Sequence, residues 1–372
     1  MARRLVICCD GTGNEIKENQ SNVLKFFRVL KKDKAQIAYY DPGVGTLSDG
    51  GAWSRLRSEA KGIFGLATGY GLDANILEAY RFLVRNHRPE DTIYLFGFSR
   101  GAYTVRVLAG FLHMVGLLEP EQENLCGYAL TAYKRASEKD DFSIAWRVNE
   151  VLAARRVTIR FMGCWDTVGS VIIPRPDRFY IPSFETLPYT QRNPSVQVFR
   201  HALAIDERRR MFRHFTWEEP QLFKTNPFVK DEKATPQDVR QVWFAGYHSD
   251  IGGGHPEPES GAAKIPLQWM MDEAGEHGLT FRPEMARRLV LGRNPKNSSR
   301  NYVAPDPHGE LHDSMRPGWA VIESILGLHH PFNEPRHIPE DADIHPTVRE
   351  RRTHKSGGRA YRPENLPAPP RG

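Results

Sequence analysis

Five short runs constrain this chain more than any other feature: Arg4 to Cys9, Gln36 to Asp41, Thr92 to Phe98, Val157 to Trp165 and Arg240 to Ala245. Each is rich in β-branched or aromatic residues and mostly apolar on both alternations. A strand with one wet face alternates apolar with polar, so a strand apolar on both sides is covered on both, as in a parallel sheet between two layers of helices. The intervening segments supply the helices. Asn22 to Leu30 places Val23, Phe26, Phe27 and Leu30 on one face, and Asp73 to Val84 places Ile76, Leu77, Tyr80 and Leu83 on one face, with Asp73 as N-cap. Helical patterns also follow the third run, at Ala102 to Leu117, and the fifth, at Pro266 to Glu276. The expectation is an α/β fold: a doubly wound, mostly parallel sheet with helices on both faces.

A chain of 372 residues has room for two domains of roughly 150 residues each. The strand–helix alternation spans most of it, so residues 1–348 read as a single elaborated domain. Periodicity fades after about Gly278, leaving 281–348 as a C-terminal extension. Residues 349–372 read as a basic, Pro-rich, disordered tail. They hold seven Lys or Arg against two Asp or Glu, and so carry +5 of the net charge of +6. The remaining chain is almost neutral, which argues against a nucleic-acid partner. Pro- and Gly-rich excursions interrupt the alternation, above all Gly43 to Gly71, with eight glycines and the apolar Trp53, Leu56, Ile63, Phe64 and Leu66. It is long for a connection and is expected to cover an active site and offer an apolar wall to an acyl chain. No apolar run approaches the roughly 20 residues that span a bilayer, and the N-terminal run meets Asp10 with no cleavage site, so a cytoplasmic location is expected. The four cysteines lack CxxC spacing, against a disulfide scaffold or a zinc ribbon.

The strongest local signal is Gly97-Phe98-Ser99-Arg100-Gly101, between the run ending in Phe96 and the helical pattern from Ala102. A strand, a strained turn with glycines on both sides and a following helix are the context of a nucleophilic serine, with the helix N-terminus supplying N–H groups to a developing oxyanion. A serine needs a base, and the base an orienting carboxylate. Two downstream runs end in suitable groups, Asp166 and His248, at the strand ends where open α/β sheets bind ligands. His312 and His345 compete with His248 on chain order alone. The first run ends in Asp10-Gly11-Thr12-Gly13-Asn14. Its Gly11 or Thr12 would give a second oxyanion donor, or the segment is simply a tight turn with Asp10 bonding its own backbone.

The set Cys9-Asp10-Gly11-Thr12-Gly13-Asn14, Asp41-Pro42-Gly43-Val44-Gly45-Thr46, Gly97-Phe98-Ser99-Arg100-Gly101-Ala102, Trp165-Asp166-Thr167-Val168-Gly169 and Gly246-Tyr247-His248-Ser249-Asp250-Ile251-Gly252-Gly253 resembles the catalytic domain of type VI secretion phospholipase effectors. Ala202-Leu203-Ala204-Ile205-Asp206-Glu207-Arg208 is also similar to that family's pattern. The resemblance covers roughly residues 3 to 280. It implies an α/β-hydrolase-like fold, Ser99 as nucleophile, Asp166 as acid and His248 as base, with His312 as the alternative base.

The reading is a serine hydrolase of carboxylic esters, whether small-molecule, lipid or phospholipid, in transient contact with a membrane surface. Its catalytic residues are Ser99, Asp166 and His248, its oxyanion donors Arg100, Gly11 and Thr12, and its supporting carboxylates Asp10 and Asp250. No cofactor and no metal are needed. Two rivals stay open. Asp10, Asp166, His248 and Asp250 all end strands, and two or three of them meeting could bind a divalent cation in a phosphoesterase. Alternatively, the fold is catalytically inactive and binds a partner. Oligomeric state is not legible.

Overall fold

The protein is described here from a computed structural model, which covers residues 2–11, 19–43, 71–138, 143–169, 172–174, 182–184, 187–209, 212–225, 233–296, 298, 301–315, 333–356 and 359–367. Most of the segment expected to cover the site, residues 44–70, lies outside the described residues, as does Thr12.

Seven strands form one sheet: β1 (Arg4–Cys9), β2 (Gln36–Asp41), β3 (Thr92–Phe98), β4 (Ile159–Trp165), β5 (Val196–Ala204), β6 (Asp238–Phe244) and β7 (Asp343–Ile344). Their order is β7-β6-β5-β4-β3-β1-β2, and every neighbouring pair is parallel. The fold is the expected doubly wound α/β sheet. Alternate residues of β1 serve opposite cores. Leu5, Ile7 and Cys9 join the layer built with α2 (Leu72–Asn86), α3 (Arg100–Met114) and α4 (Cys126–Glu138). Val6 and Cys8 join the layer of α1 (Asn22–Val29) and, further along the chain, the helices Lys264–Glu276 and Pro283–Leu289. Both layers are dry, which explains why these runs are apolar on both alternations. A fifth helix, α5 (Ser143–Leu152), leads into β4.

Helix boundaries follow the expected periodicities with shifts of a few residues. The N-cap of α2 is Gly71, at φ 93°, and Asp73 sits within the first turn, where a carboxylate favours the helix dipole. Between β6 and the helix Lys264–Glu276 lies a five-residue helix that no periodicity announces, α6 (His248–Gly252). The Lys264–Glu276 and Pro283–Leu289 helices are therefore α7 and α8.

β5 is a central strand that the apolar pattern did not mark, because Arg200 and His201 interrupt it. Both are buried and both are partnered. Arg200 Nε donates to Glu273 Oε2 at 2.6 Å, and His201 Nε2 accepts from Thr167 N at 3.1 Å.

The basic end is not a disordered tail in its described part. β7 extends the sheet edge beside β6, and α9 (Pro346–Thr353) places Val348 in a small core with Leu203, Ile205 and Trp243. Further on, Tyr361 donates its hydroxyl to Asp206 Oδ2 at 2.7 Å. Asn365 donates to the carbonyls of Ile205 and Arg336, each at 2.9 Å. One of the charges that suggested a solvated tail is itself used in docking, since Arg351 Nη1 donates to the carbonyls of Pro307 and Gly309, each at 2.8 Å.

Candidate active site

β1 has β2 on one side and β3 on the other, so the chain leaves its carboxyl end in one direction and returns past it in the other. The crevice at such a reversal is where open α/β sheets take ligands. Asp10 and Gly11 follow β1 there, and Ser99 follows β3.

Ser99 is the N-cap of α3, with φ 57° and ψ −122°, a conformation that non-glycine residues rarely adopt. The glycines around it are needed because two backbones meet. A Cβ on Gly101 would lie 2.1 Å from the Cys9 carbonyl oxygen, and one on Gly97 would lie 2.4 Å from that of Gly101. The serine's own backbone brackets the end of β4: its N–H donates to the Trp165 carbonyl at 3.1 Å, and its carbonyl accepts from Val168 N at 3.4 Å. Asp166 lies between those two contacts. The Arg100 N–H opens α3 and has no acceptor among the described residues, as expected of a first-turn donor.

Asp166 is fully buried, at φ 35°. Its Oδ2 lies 2.6 Å from His248 Nδ1. The Arg336 guanidinium grips both oxygens, Nη1 on Oδ1 at 2.6 Å and Nη2 on Oδ2 at 3.0 Å, and Ala204 N donates to Oδ1 at 3.0 Å. Burial by itself would raise this carboxyl's pKa, but the charge of Arg336 and the contact with His248 outweigh it and hold the group well below the usual range. Asp166 is thus an anion, so Nδ1 of His248 is the donor, and a neutral imidazole carries its lone pair on Nε2.

His248 opens α6. Its ring lies against Phe98, centroids 4.6 Å apart, and edge-on to Phe212 at 4.9 Å. Phe98 immediately precedes Ser99 in the chain, and the Ser99 backbone bonds those of Trp165 and Val168 on either side of Asp166. Burial lowers the imidazole pKa, and Asp166 only partly restores it. Its backbone N–H donates to Glu207 Oε2 at 3.2 Å, and Glu207 is held by Arg209 at 2.9 and 2.8 Å.

Other expected groups are placed differently. The Gly11 N–H donates to Asp10 Oδ1 at 2.7 Å, so it is not aimed at an oxyanion and the tight turn explains it. The other oxygen of Asp10 accepts from the hydroxyls of Tyr40, at 2.7 Å, and Ser21. His312 does not stand between Ser99 and Asp166. Its Nδ1 pairs with Asp250 Oδ1 at 2.7 Å, while Asp250 Oδ2 caps α6 by accepting from Tyr247 N at 2.9 Å. His345 Nδ1 bonds Thr347 at the start of α9. Of Asp10, Asp166, His248 and Asp250, the pair Asp166–His248 meets, but no three of them form a metal-capable group. Among the described residues, three metal-capable side chains do meet, Asp250, His255 and His312, with ligand atoms within 4.8 Å of one another. Asp250 is itself a residue of α6, two positions after His248.

Arg336, Glu207 and Arg209 were not foreseen as site residues. Glu207 stood in a recognised sequence pattern, but Arg336 lies in a segment with no periodicity and is brought to Asp166 only by the fold.

The family profile described as type VI secretion system, phospholipase effector Tle1-like, catalytic domain matches residues 3–273. The chain belongs to this Tle1-like catalytic-domain family. An uncharacterized protein of Saccharomyces cerevisiae (strain ATCC 204508 / S288c), YEL023C, is 34% identical over 227 residues, 57% of this chain and 32% of that protein. The chain thus spans about a third of that relative's length. Two solved structures are also similar. An uncharacterized protein from Pseudomonas aeruginosa is 19% identical over 76% of this chain and 47% of that one, with a TM-score of 0.41. The Tle1 effector bound to the VgrG spike of the type 6 secretion system is 20% identical over 70% of this chain and 53% of that one, with a TM-score of 0.34. In this Tle1-like chain, Ser99, Asp166 and His248 all fall inside the matched residues, and Arg336 falls outside them.

Proposed function

We propose that the protein is a serine hydrolase of carboxylic esters, acting on the acyl esters of lipids or phospholipids. The observation that carries this reading is the buried His248–Asp166 pair set against Phe98, the residue that precedes in the chain a serine at positive φ between a strand and a helix. Membership of a phospholipase effector family supports the lipid substrate.

In this mechanism Ser99 Oγ attacks the acyl carbon while His248 Nε2 takes its proton. Asp166 holds the imidazole with Nδ1–H inward, so the lone pair faces the serine. The acyl oxygen gains negative charge at the N-terminus of α3, where the Arg100 N–H supplies a donor. His248 then returns the proton to the departing alcohol, leaving an acyl-serine, and water repeats the sequence to release the acid. The turn at Ser99 is the nucleophile elbow of this scheme: its strain holds the hydroxyl clear of helical hydrogen bonding.

The test is fluorophosphonate labelling mapped to a peptide, together with turnover of an ester and phospholipid panel. Labelling at Ser99, lost in Ser99→Ala, is expected. A folded wild-type protein that is neither labelled nor active on any ester would overturn the reading.

A further inference from the structure

Asp166 is shared between His248 and a guanidinium that arrives from far along the chain. Arg336 is buried, as is Asp166, and its two terminal nitrogens take both carboxylate oxygens. The remaining guanidinium contacts are carbonyls: Ala204 at 3.2 Å from Nη1 and Phe212 at 3.1 Å from Nε. Its own backbone carbonyl is held by Asn365 at 2.9 Å. Among the described residues this arginine pairs with no other carboxylate, and its fork fixes the plane of the Asp166 carboxyl.

The charges around the imidazole can be balanced. Asp166 facing from the end of β4 is neutralised by Arg336. Glu207, facing from beyond β5, is neutralised by Arg209, as the 2.8 Å contact shows. Phe98 from β3 and Phe212 supply apolar ring faces. On α6 itself, Asp250 is turned to His312. In an isolated His–Asp pair, protonating the histidine produces a neutral ion pair. Here the surroundings are already neutral, so the same proton leaves a buried net positive charge, which is disfavoured.

Resting on the hydrolase reading, we propose that Arg336 is a positioning residue for catalysis. It locks the Asp166 carboxylate and, by sharing its charge, keeps His248 neutral and ready as a base in mildly acidic medium. The catalytic machinery then includes the C-terminal segment, which lies outside residues 3–273 matched to the family.

The experiment is the rate of fluorophosphonate labelling at Ser99 against pH for the full-length wild type, R336Q and R336K, with folding checked by circular dichroism. Gln keeps a donor and loses the charge, so its rate should fall about ten-fold and its acid limb should move up by about half a pH unit or more, because the imidazolium becomes easier to form. Lys keeps the charge and loses the fork, so its rate should fall about ten-fold with the limb in place. An arginine with a merely structural role would leave the limb of folded R336Q where it stands in the wild type, and that result overturns the proposal whatever the rate. If R336Q does not fold, R336K decides, and a folded R336K labelled at the wild-type rate overturns it. Absence of labelling in the wild type would instead bring down the hydrolase reading, and this proposal with it.

Discussion

Ser99→Ala removes one hydroxyl from a residue that already sits at positive φ, and alanine meets the same backbone strain. Ester turnover should vanish while the melting temperature stays within a few degrees, as a thermal melt beside an activity assay will show. Asp166→Asn is a different kind of change. In a simple triad it favours the wrong histidine tautomer, with losses of about ten-thousand-fold. Here both oxygens of Asp166 also accept from Arg336, and Oδ1 accepts from Ala204 N. An amide would turn a donor onto one of those donors and leave Arg336 buried without its anion. Breaking one half of a buried pair costs about 3–5 kcal/mol, so Asp166→Asn should lose stability as well as activity. A variant with wild-type stability in denaturant would show that the Arg336 pairing contributes nothing to the fold.

At the scale of elements, the G-x-S-x-G spacing is a packing requirement before it is a chemical one. α3 approaches the end of β1 so closely that a Cβ at position 101 would lie 2.1 Å from Cys9 O and 2.5 Å from Asp10 O. Neither atom can yield without moving the loop after β1. Gly101→Ala should therefore destabilise by about 3 kcal/mol, the upper end for overpacking, with soluble yield and denaturant midpoint as the readouts. Gly163 in β4 has a similar role on the other face, where a Cβ would meet Met270 Sδ of α7 at 2.6 Å. β5 shows why one strand escaped notice. Its Arg200 and His201 break the apolar run, and only their partners on other elements, Glu273 of α7 and Thr167 after β4, make burial tolerable.

For the whole molecule, several buried or half-buried histidines are held neutral. Burial, helped by Arg156, lowers the His113 pKa to about 3; burial lowers His87 and His214 to about 4, helped by Arg155 and Arg336 respectively. In the unfolded chain these groups titrate at about 6.5. Below that pH the unfolded state binds more protons than the folded one, so stability falls as pH drops from about 6.5 towards 4. The depressed Asp166 adds a loss further down, as pH falls below the ordinary carboxylate value. Asp41, Asp206 and Asp250, raised by burial, oppose the trend in part. The melting temperature should be level between pH 7 and 8 and decline steadily below about 6.5; a rise on acidification would refute this. Removing residues 334–372 would take away Arg336, β7 and Val348. The loss should uncover the Leu203, Ile205 and Trp243 cluster and leave Asp166 unpaired, giving insoluble or inactive protein on expression.

Local regularities carried much of this protein into its sequence. Runs apolar on both alternations can only be strands between two dry layers, so β1 to β4, β6 and the doubly wound class were legible. The glycines flanking Ser99, the Asp166 directly after β4 and the His248 a short turn beyond β6 singled out these three as candidates, because strand ends are where an open sheet presents side chains. What sequence could not decide were contacts between distant segments. Nothing local distinguishes His312 from His248, yet one meets Asp250 and the other Asp166. The sequence left two readings of Gly11 open, and only the structure gives its N–H to Asp10. Arg336 stands 170 residues from Asp166 in a stretch without periodicity, and the basic end beyond it looks like a solvated tail. Buried polar partners are chosen by geometry in three dimensions, and a charge is recognisable as internal only once the element that neutralises it has been placed beside it.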